Sequence, residues 1–225
     1  PIAVSPILTR LYTPEDFRVL ALFIAITSIF GSIVNGRYEL AIVLPKKDED
    51  AINIAALSLL IALIISSLLI IIIIIFHERV VILLDEPRIS IWLFIVPAVV
   101  FFIGVFNTFN YLNTRMNKYD VIAKVKVLKS LTMVTVQLTL GLLKLGVFGL
   151  ITGQILSHLL ANGRLIMPVL RNKNIISKIN VPDILRVCKR YKKFPLITIW
   201  ASLSNSLSQH LTSIFISLLF STTSL

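Results

Sequence analysis

Two oppositely charged residues, Arg37 and Glu39, lie inside an apolar stretch that ends at Pro45. Charged side chains within an apolar helix are costly and commonly mark an ion or substrate site. Eight residues of helix, about 12 Å, separate Arg37 from Pro45. Arg37 therefore either reaches the interface or a structural partner, or faces an internal cavity. Residues two apart do not share a helix face, so separate roles are expected for Arg37 and Glu39 unless Gly36 breaks the helix.

Polar residues recur at helical spacing in four apolar segments. The stripes are Ser28, Ser32, Asn35 and Glu39; Asn107, Asn110 and Thr114; Gln154, His158 and Asn162; and Ser202, Asn205, Gln209 and Thr212. Such stripes indicate either a shared hydrated cavity or interhelical hydrogen bonds in a dry bundle. His158 fits a packed, hydrogen-bonded histidine or a proton relay.

The elements that must position these residues are long apolar helices. Of the 225 residues, 56% are hydrophobic, and residues 51–76 contain no charge. That run would be roughly 39 Å long as a helix, enough to cross a bilayer. We predict an all-α, polytopic transmembrane bundle, with residues 1–193 as a first bundle and 194–225 as the first helix of a second. The predicted segments are a helix tail at 1–11 and spans at 17–44, 51–76, 89–112, 121–143, 145–170 and 194–220.

The distribution of basic residues predicts the orientation. Of 22 lysines and arginines, five fall in one alternating set of connections (Arg10, Arg18, Arg79, Arg88 and Lys144) and 17 in the other. By the positive-inside rule the richer set is cytoplasmic. The net charge of +11 is explained by this topology, so no nucleic-acid partner is expected.

The basic stretch 171–193 lies in the richer set. Val181, Leu185 and Cys188, with Ile184 and Tyr191, recur at helical spacing. This pattern favours a short amphipathic helix on the anionic inner leaflet, with a solvated basic linker as the alternative.

Recognisable catalytic or metal-binding motifs are lacking in the sequence. It has one cysteine, Cys188, and three scattered histidines, His77, His158 and His210, without ligand spacing. Nucleophile, phosphate-loop and zinc-protease motifs are also lacking. We expect no enzymatic activity, no metal and no cofactor, and we interpret Asp85–Glu86 as a solvated turn.

Three stretches, PILTRLYTPEDF, RYELAIVLPKKDEDA and YKKFPL, carry a family resemblance. In order and spacing the chain resembles bacterial oligosaccharide flippases of polysaccharide biosynthesis, including O-antigen and lipopolysaccharide transporters. These belong to the multidrug/oligosaccharidyl-lipid/polysaccharide exporter superfamily, which also contains the MATE exporters. One departure is Arg18, where that family usually has glycine after PEDF.

The resemblance implies two six-helix lobes around a central cavity, of which this chain would form most of the first. It also implies an undecaprenyl-diphosphate-linked oligosaccharide as substrate, moved by alternating access across the bacterial inner membrane. Arg37 is then the candidate for the diphosphate, and Glu39 and His158 are candidates for gating or coupling to an ion. Candidates for the glycan are Asn35, Asn110, Gln154, Asn205 and Gln209. Other polysaccharide-assembly proteins are candidate partners.

Two alternative functions stay open at this point. An ion-coupled drug or cation antiporter of the same fold would require more acidic charge in the cavity and aromatic faces for a cation. A membrane polymerase or ligase would require a large extracytoplasmic loop, whereas the connections at 77–88 and 144–146 are short.

Overall fold

Helices form nearly all of the backbone described by the computed structural model, which covers residues 4–170 and 178–219, with side chains for 4–169 and 178–209. No strand occurs in these ranges. The α-helices are α1 (Ser5–Leu11), α2 (Pro14–Gly31), α3 (Asp48–Leu84), α4 (Ser90–Leu93), α5 (Val96–Arg115), α6 (Tyr119–Leu142), α7 (Val147–Leu170), α8 (Val181–Arg190) and α9 (Ile199–Leu219). Short 3-10 turns occur at Tyr38–Val43 and Pro87–Ile89, and a π turn at Phe194–Thr198.

Some predictions concern positions outside this description. Residues 1–3 of the predicted helix tail, 171–177 of the basic stretch and 220–225 lie outside the described residues. The side chains of His210 and Thr212 also lie outside them. The all-α class is confirmed for the part of the chain that is described.

Helix ends differ from the predicted segments at three places. α3 continues from the predicted end at Phe76 to Leu84. The predicted span 89–112 is divided into α4 and α5, and Pro97 lies in the first turn of α5, where its missing N–H is tolerated. Within the predicted span 17–44, whose continuity through Gly36 was left open, the α-helix ends at Gly31.

Two of the described helices, α3 and α5, are long and apolar enough to cross a membrane. α3 carries a broad exposed apolar surface, on which Ile74 is 62% and Ile75 66% exposed. Such a surface is typical of a helix that faces lipid. Polar and charged residues in the remaining helices, such as Glu15, Asp16 and Arg18 in α2, make them less apolar. Six full spans therefore remain a prediction.

Two apolar clusters hold the bundle together. One joins α2, α3, α5 and α7 through side chains such as Phe23, Val100 and Ile151. The other joins the 3-10 turn at 38–43, the start of α3 and α8, and includes Ile42, Ile54 and Val187. Following the predicted orientation, we call the end that contains Asp85 the outer end and the end that contains Asp50 the inner end.

The short basic helix α8 packs on the inner end of the bundle. Val187 is fully buried there, and Ile184, Cys188 and Tyr191 pack around it. Two residues of the predicted apolar stripe do not contact the bundle, because Val181 is 68% and Leu185 59% exposed. A helix is present at Val181–Arg190 and one of its faces covers protein, while contact with the inner leaflet remains a prediction.

Close packing of α6 on α7 depends on small residues in α7. A Cβ added at Gly149 would lie 2.5 Å from Tyr12 Oη, and one at Gly153 would lie 2.6 Å from Gln137 Cγ. Neither position has room for a side chain. The residues Gly149, Gly153 and Ser157 thus form a packing ridge, as their spacing predicts.

Candidate functional site at the helix interruption

The predicted span 17–44 is interrupted at residues 32–37. After Gly31 the chain passes through turns, and Gly36 and Arg37 have φ of 60° and 61°. Two successive left-handed residues cannot continue a right-handed helix. A 3-10 turn, Tyr38–Val43, then carries the chain to the inner end. The possibility that Gly36 breaks the helix is therefore what the structure shows.

The interruption brings Arg37 and Glu39 together. Arg37 Nη1 lies 3.2 Å from Glu39 Oε1, and it also donates to the carbonyl of Ser32 at 3.2 Å. The Glu39 side chain is 3% exposed and that of Arg37 23%. The two side chains can meet because the break near Gly36, which the sequence left open, removes the face geometry of an unbroken helix.

The ion pair leaves one side-chain donor and one side-chain acceptor without a hydrogen bond. Within the described part of the chain, Arg37 Nε and Glu39 Oε2 are buried without a hydrogen-bond partner. Buried charged groups normally have their remaining donors and acceptors satisfied. One cationic donor and one anionic acceptor are therefore available at the interruption to a ligand, water or proton.

Asn35 forms a buried hydrogen-bonded node beside the ion pair. Its Nδ2 donates to Thr108 Oγ1 at 3.0 Å and to the carbonyls of Gly104 and Ser58 at 3.1 and 3.3 Å. Ser58 and Thr108 hydroxyls lie 2.9 Å apart. All three polar side chains are buried, with Asn35 1% exposed. In this conformation Asn35 ties the interruption to α3 and α5 and is not accessible to a glycan.

A second polar group lies where α5, α6 and α7 meet. The Phe106 ring is contacted by Lys129 Nζ, 5.0 Å from its centroid, and edge-on by His158 at a centroid distance of 6.5 Å. His158 is 8% exposed, and its Nδ1 has no hydrogen-bond partner among the described residues. His158 is therefore packed against aromatic and cationic neighbours, with one ring nitrogen free.

The remaining predicted glycan residues are dispersed. Asn110 is half-buried, with Oδ1 unpartnered in the described part of the chain. Gln154 is half-buried in a small hollow between α2, α6 and α7. Asn205 and Gln209 are exposed on α9, which packs along α2, and Gln209 Nε2 donates to Asn205 Oδ1 at 3.4 Å. Among the described residues, contacts join two pairs of predicted site residues, Arg37 with Glu39 and Asn205 with Gln209.

The Asp85–Glu86 turn at the outer end is more than a solvated turn. Glu86 is 5% exposed, and its carboxylate lies 3.2 Å from Arg88 Nε and 3.7 Å from Arg18 Nη1. Arg18 also donates to the Asp85 carbonyl at 2.9 Å, and Arg88 lies 3.7 Å from Asp16. The interpretation as a solvated turn was wrong for Glu86. Arg18, the departure from the family pattern, has acidic partners here.

Sequence reasoning missed Ser58, Thr108 and Lys129. Ser58, in the predicted span 51–76, belongs to none of the four polar stripes, yet it supplies one hydroxyl of the node. Lys129 was counted with a loop, although it lies well inside α6, Tyr119–Leu142. The sequence did contain a signal for Lys129, because Lys129 is the ninth residue of the predicted span 121–143 and so lies inside it.

Comparisons with known proteins give one family. A family model described as "Polysaccharide biosynthesis protein" matches residues 7–225, nearly the whole chain. No curated protein and no solved structure matches the chain. The match covers the interruption, the Asn35 node and the ion pairs of both ends.

Proposed function

Because this chain belongs to the polysaccharide biosynthesis protein family, we propose that it is part of a flippase for a lipid-linked oligosaccharide. The substrate is an undecaprenyl-diphosphate-linked O-antigen, capsule or exopolysaccharide unit. It moves from the cytoplasmic to the outer leaflet of the bacterial inner membrane. Residues 1–193 form most of the first lobe of a two-lobe, MATE-like transporter, and 194–225 begin the second lobe. The protein acts by alternating access, without covalent chemistry.

The interrupted helix with its buried ion pair is the observation that carries this proposal. Broken helices in transporters place backbone ends and charged side chains at substrate and ion sites inside the bilayer. Irregular backbone at membrane depth is tolerated only where protein or a water-filled cavity surrounds it. Here Gly36 and Arg37 provide the break, and Arg37 and Glu39 provide the charges.

The ion pair suggests how substrate and coupling could be linked. A diphosphate is recognised by the planar guanidinium of arginine through charge-assisted hydrogen bonds. When Arg37 turns to the diphosphate, Glu39 loses its cationic partner in a buried position. The Glu39 carboxylate then binds a proton or a cation, because an unpaired buried charge is costly. Occupancy by substrate and occupancy by the coupling ion are thereby connected.

The polar residues outside the ion pair take different roles in this proposal. Asn110, Gln154, Asn205 and Gln209 remain the candidates for the glycan, because amide groups match its hydroxyls. Asn35 positions the interruption rather than contacting the sugar, since its amide nitrogen already serves three acceptors.

The alternatives receive less support. A drug or cation antiporter would present an aromatic face to its cationic substrate, but the Phe106 ring is already in contact with Lys129. A polymerase or ligase would require a large outer loop, and the helices on either side of Asp85–Glu86 are separated by that short turn.

The proposal is tested by deleting the gene in its native host and measuring both surface polysaccharide and lipid-linked precursor. We expect loss of surface polysaccharide and accumulation of the precursor. Normal surface polysaccharide without precursor build-up, in a host that lacks a redundant transporter, would refute the flippase function.

Complementation with variants tests the site. Arg37→Ala should reduce export at least tenfold while the protein still inserts in the membrane. Lys46→Ala, which removes an exposed cation nine residues away, is the matched control and should retain export. Full export by Arg37→Ala would exclude Arg37 from the substrate site.

A further inference from the structure

A basic groove lies at the inner end of α6 and α7, separate from the helix interruption. Its volume is about 600 Å³ and it is open to the surroundings. Three basic residues line it, Lys118 and Lys124 from the start of α6 and Arg164 from α7, together with one acid, Asp120. The groove therefore collects charge from the start of α6 and the end of α7, two consecutive antiparallel helices.

The cations of the groove are not neutralised by the protein. Neither the two lysines nor Arg164 forms an ion pair within the described ranges. Three cations and one carboxylate leave two positive charges unbalanced. Elsewhere at the inner end, Arg115 is paired with Asp48 and Arg186 with Asp50. An anionic ligand is the partner that this groove lacks.

The remaining wall of the groove is apolar. Val121, Leu128, Met167 and Pro168 line it beside the basic residues. Met167 is 45% exposed, so the wall is open to a hydrocarbon chain as well as to water. A cationic mouth that continues into an apolar wall matches a molecule with a charged head and an apolar tail.

We propose that this groove binds the phosphate-bearing headgroup of an anionic membrane lipid, with the first part of the lipid chain on the wall formed by Leu128 and Met167. The inference relies on the proposed function for the membrane setting and for the placement of this end at the cytoplasmic leaflet. The phosphate belongs either to a phospholipid or to a polyprenyl diphosphate. Two unbalanced positive charges suit both sources, and competition distinguishes them.

The experiment uses the full-length protein in phosphatidylcholine nanodiscs containing a phosphatidylglycerol probe with a diazirine near its headgroup. After illumination, labelled peptides are mapped by mass spectrometry. We expect saturable labelling of the peptides that contain Leu128 and Met167. Each basic residue near an anionic lipid contributes about a fivefold change in binding, so Arg164→Gln should lower the labelling about fivefold.

Lys126→Gln provides the control, because Lys126 is an exposed cation near the groove lysines of α6 but does not line the groove. Its labelling should equal that of the unaltered protein. Unlabelled phosphatidylglycerol or polyprenyl diphosphate is then added as competitor. Displacement by either one supports the proposal, and the stronger competitor identifies the source of the phosphate.

Three results would overturn the proposal: equal labelling by a phosphatidylcholine probe, no loss in Arg164→Gln, or no displacement by either competitor. Failure of the groove is distinguishable from failure of the flippase function. The labelling measures lipid contact in nanodiscs, whereas the function is measured by precursor accumulation in cells.

Discussion

At the outer end of the bundle, Arg18 and Arg88 share the buried carboxylate of Glu86, while at the inner end Arg186 and Arg190 share the carboxylate of Asp50. The acids are similarly buried, at 5% and 7% exposed. The cations differ, because the Arg18 side chain is 21% and that of Arg88 48% exposed, whereas those of Arg186 and Arg190 are 61% and 63% exposed. The Arg18–Glu86 contact is thus shielded on both sides, whereas each inner contact is shielded only at its acid.

The arginine–carboxylate contacts have different structural roles at the two ends of the bundle. The outer pairs join α2 to the turn after α3, so they connect helices that cross the bundle. The inner pairs hold the surface helix α8 against the start of α3. A shielded pair resists solvent and salt, whereas a pair with exposed arginines exchanges readily with water and lipid phosphate. We therefore expect a rigid outer end and a more easily released inner helix.

Glu86→Ala is expected to cause the largest loss of stability. It removes the acid shared by Arg18 and Arg88 and leaves two cations with fewer partners at a partly buried position. The free energy of unfolding should fall by about 2 kcal/mol. This is less than the loss on breaking a fully buried ion pair, because the arginines regain some water. In a protein of this size that lowers the melting midpoint in detergent by roughly 4–8 °C.

Asp85→Ala serves as the control for Glu86→Ala. The Asp85 side chain is 66% exposed and lies 3.9 Å from Arg18. Its removal should change the melting midpoint by less than about 2 °C. Equal shifts for the two variants would contradict the claim that burial of the acid makes the outer contact strong.

Asp50→Asn should have a smaller effect, and a local one. The buried side chain stays polar, but Arg190 loses its ionic partner and Arg186 keeps only Asp183, at a cost of about 1 kcal/mol. Hydrogen exchange of residues 181–190 should accelerate several-fold while the helices near Glu86 are unchanged. Glu49→Gln is the control, because the pair of Glu49 with Lys178 is exposed on both sides. Unchanged exchange in Asp50→Asn would mean that apolar contacts around Val187 alone hold α8.

Raising the salt concentration should produce the smallest and most selective change in hydrogen exchange. Raising the ionic strength from about 0.05 to 0.5 M shortens the screening length to a few ångströms. The inner pairs are exposed at their arginines, so exchange in α8 should rise by about twofold or less. Exchange around Glu86 should stay constant. Equal salt sensitivity at both ends would remove the distinction between them.

Individual helix ends were predictable where local chemistry decides them. Thr13, Pro14 and Asp16 predict the start of α2, and the structure has Thr13 and Asp16 in a reciprocal capping box. The small-residue spacing of Gly149 and Gly153 likewise predicts a helix-packing face on α7, and the structure places α6 against it. These features depend on residues close together in sequence.

The site was less predictable because it depends on tertiary contacts. Gly36 alone permits a break but does not require one, and the left-handed Arg37 has no local signal. The roles of Ser58 and Thr108 arise only when α3 and α5 meet around Asn35. Glu86 was misread for the same reason, since its partner Arg18 lies 68 residues earlier.

The left-handed pair Gly36–Arg37 also has a consequence for biosynthesis at the ribosome. As the chain is synthesised, the turns at 32–37 emerge before the residues that hold Asn35 in place. The acceptors of the Asn35 amide are Ser58, Gly104 and Thr108, and the last of these is synthesised 73 residues later. The contacts of Asn35 are therefore complete only after α5 has been synthesised. Until then nascent chains hold a provisional conformation, and a pause in translation before Thr108 would expose them to quality-control proteases.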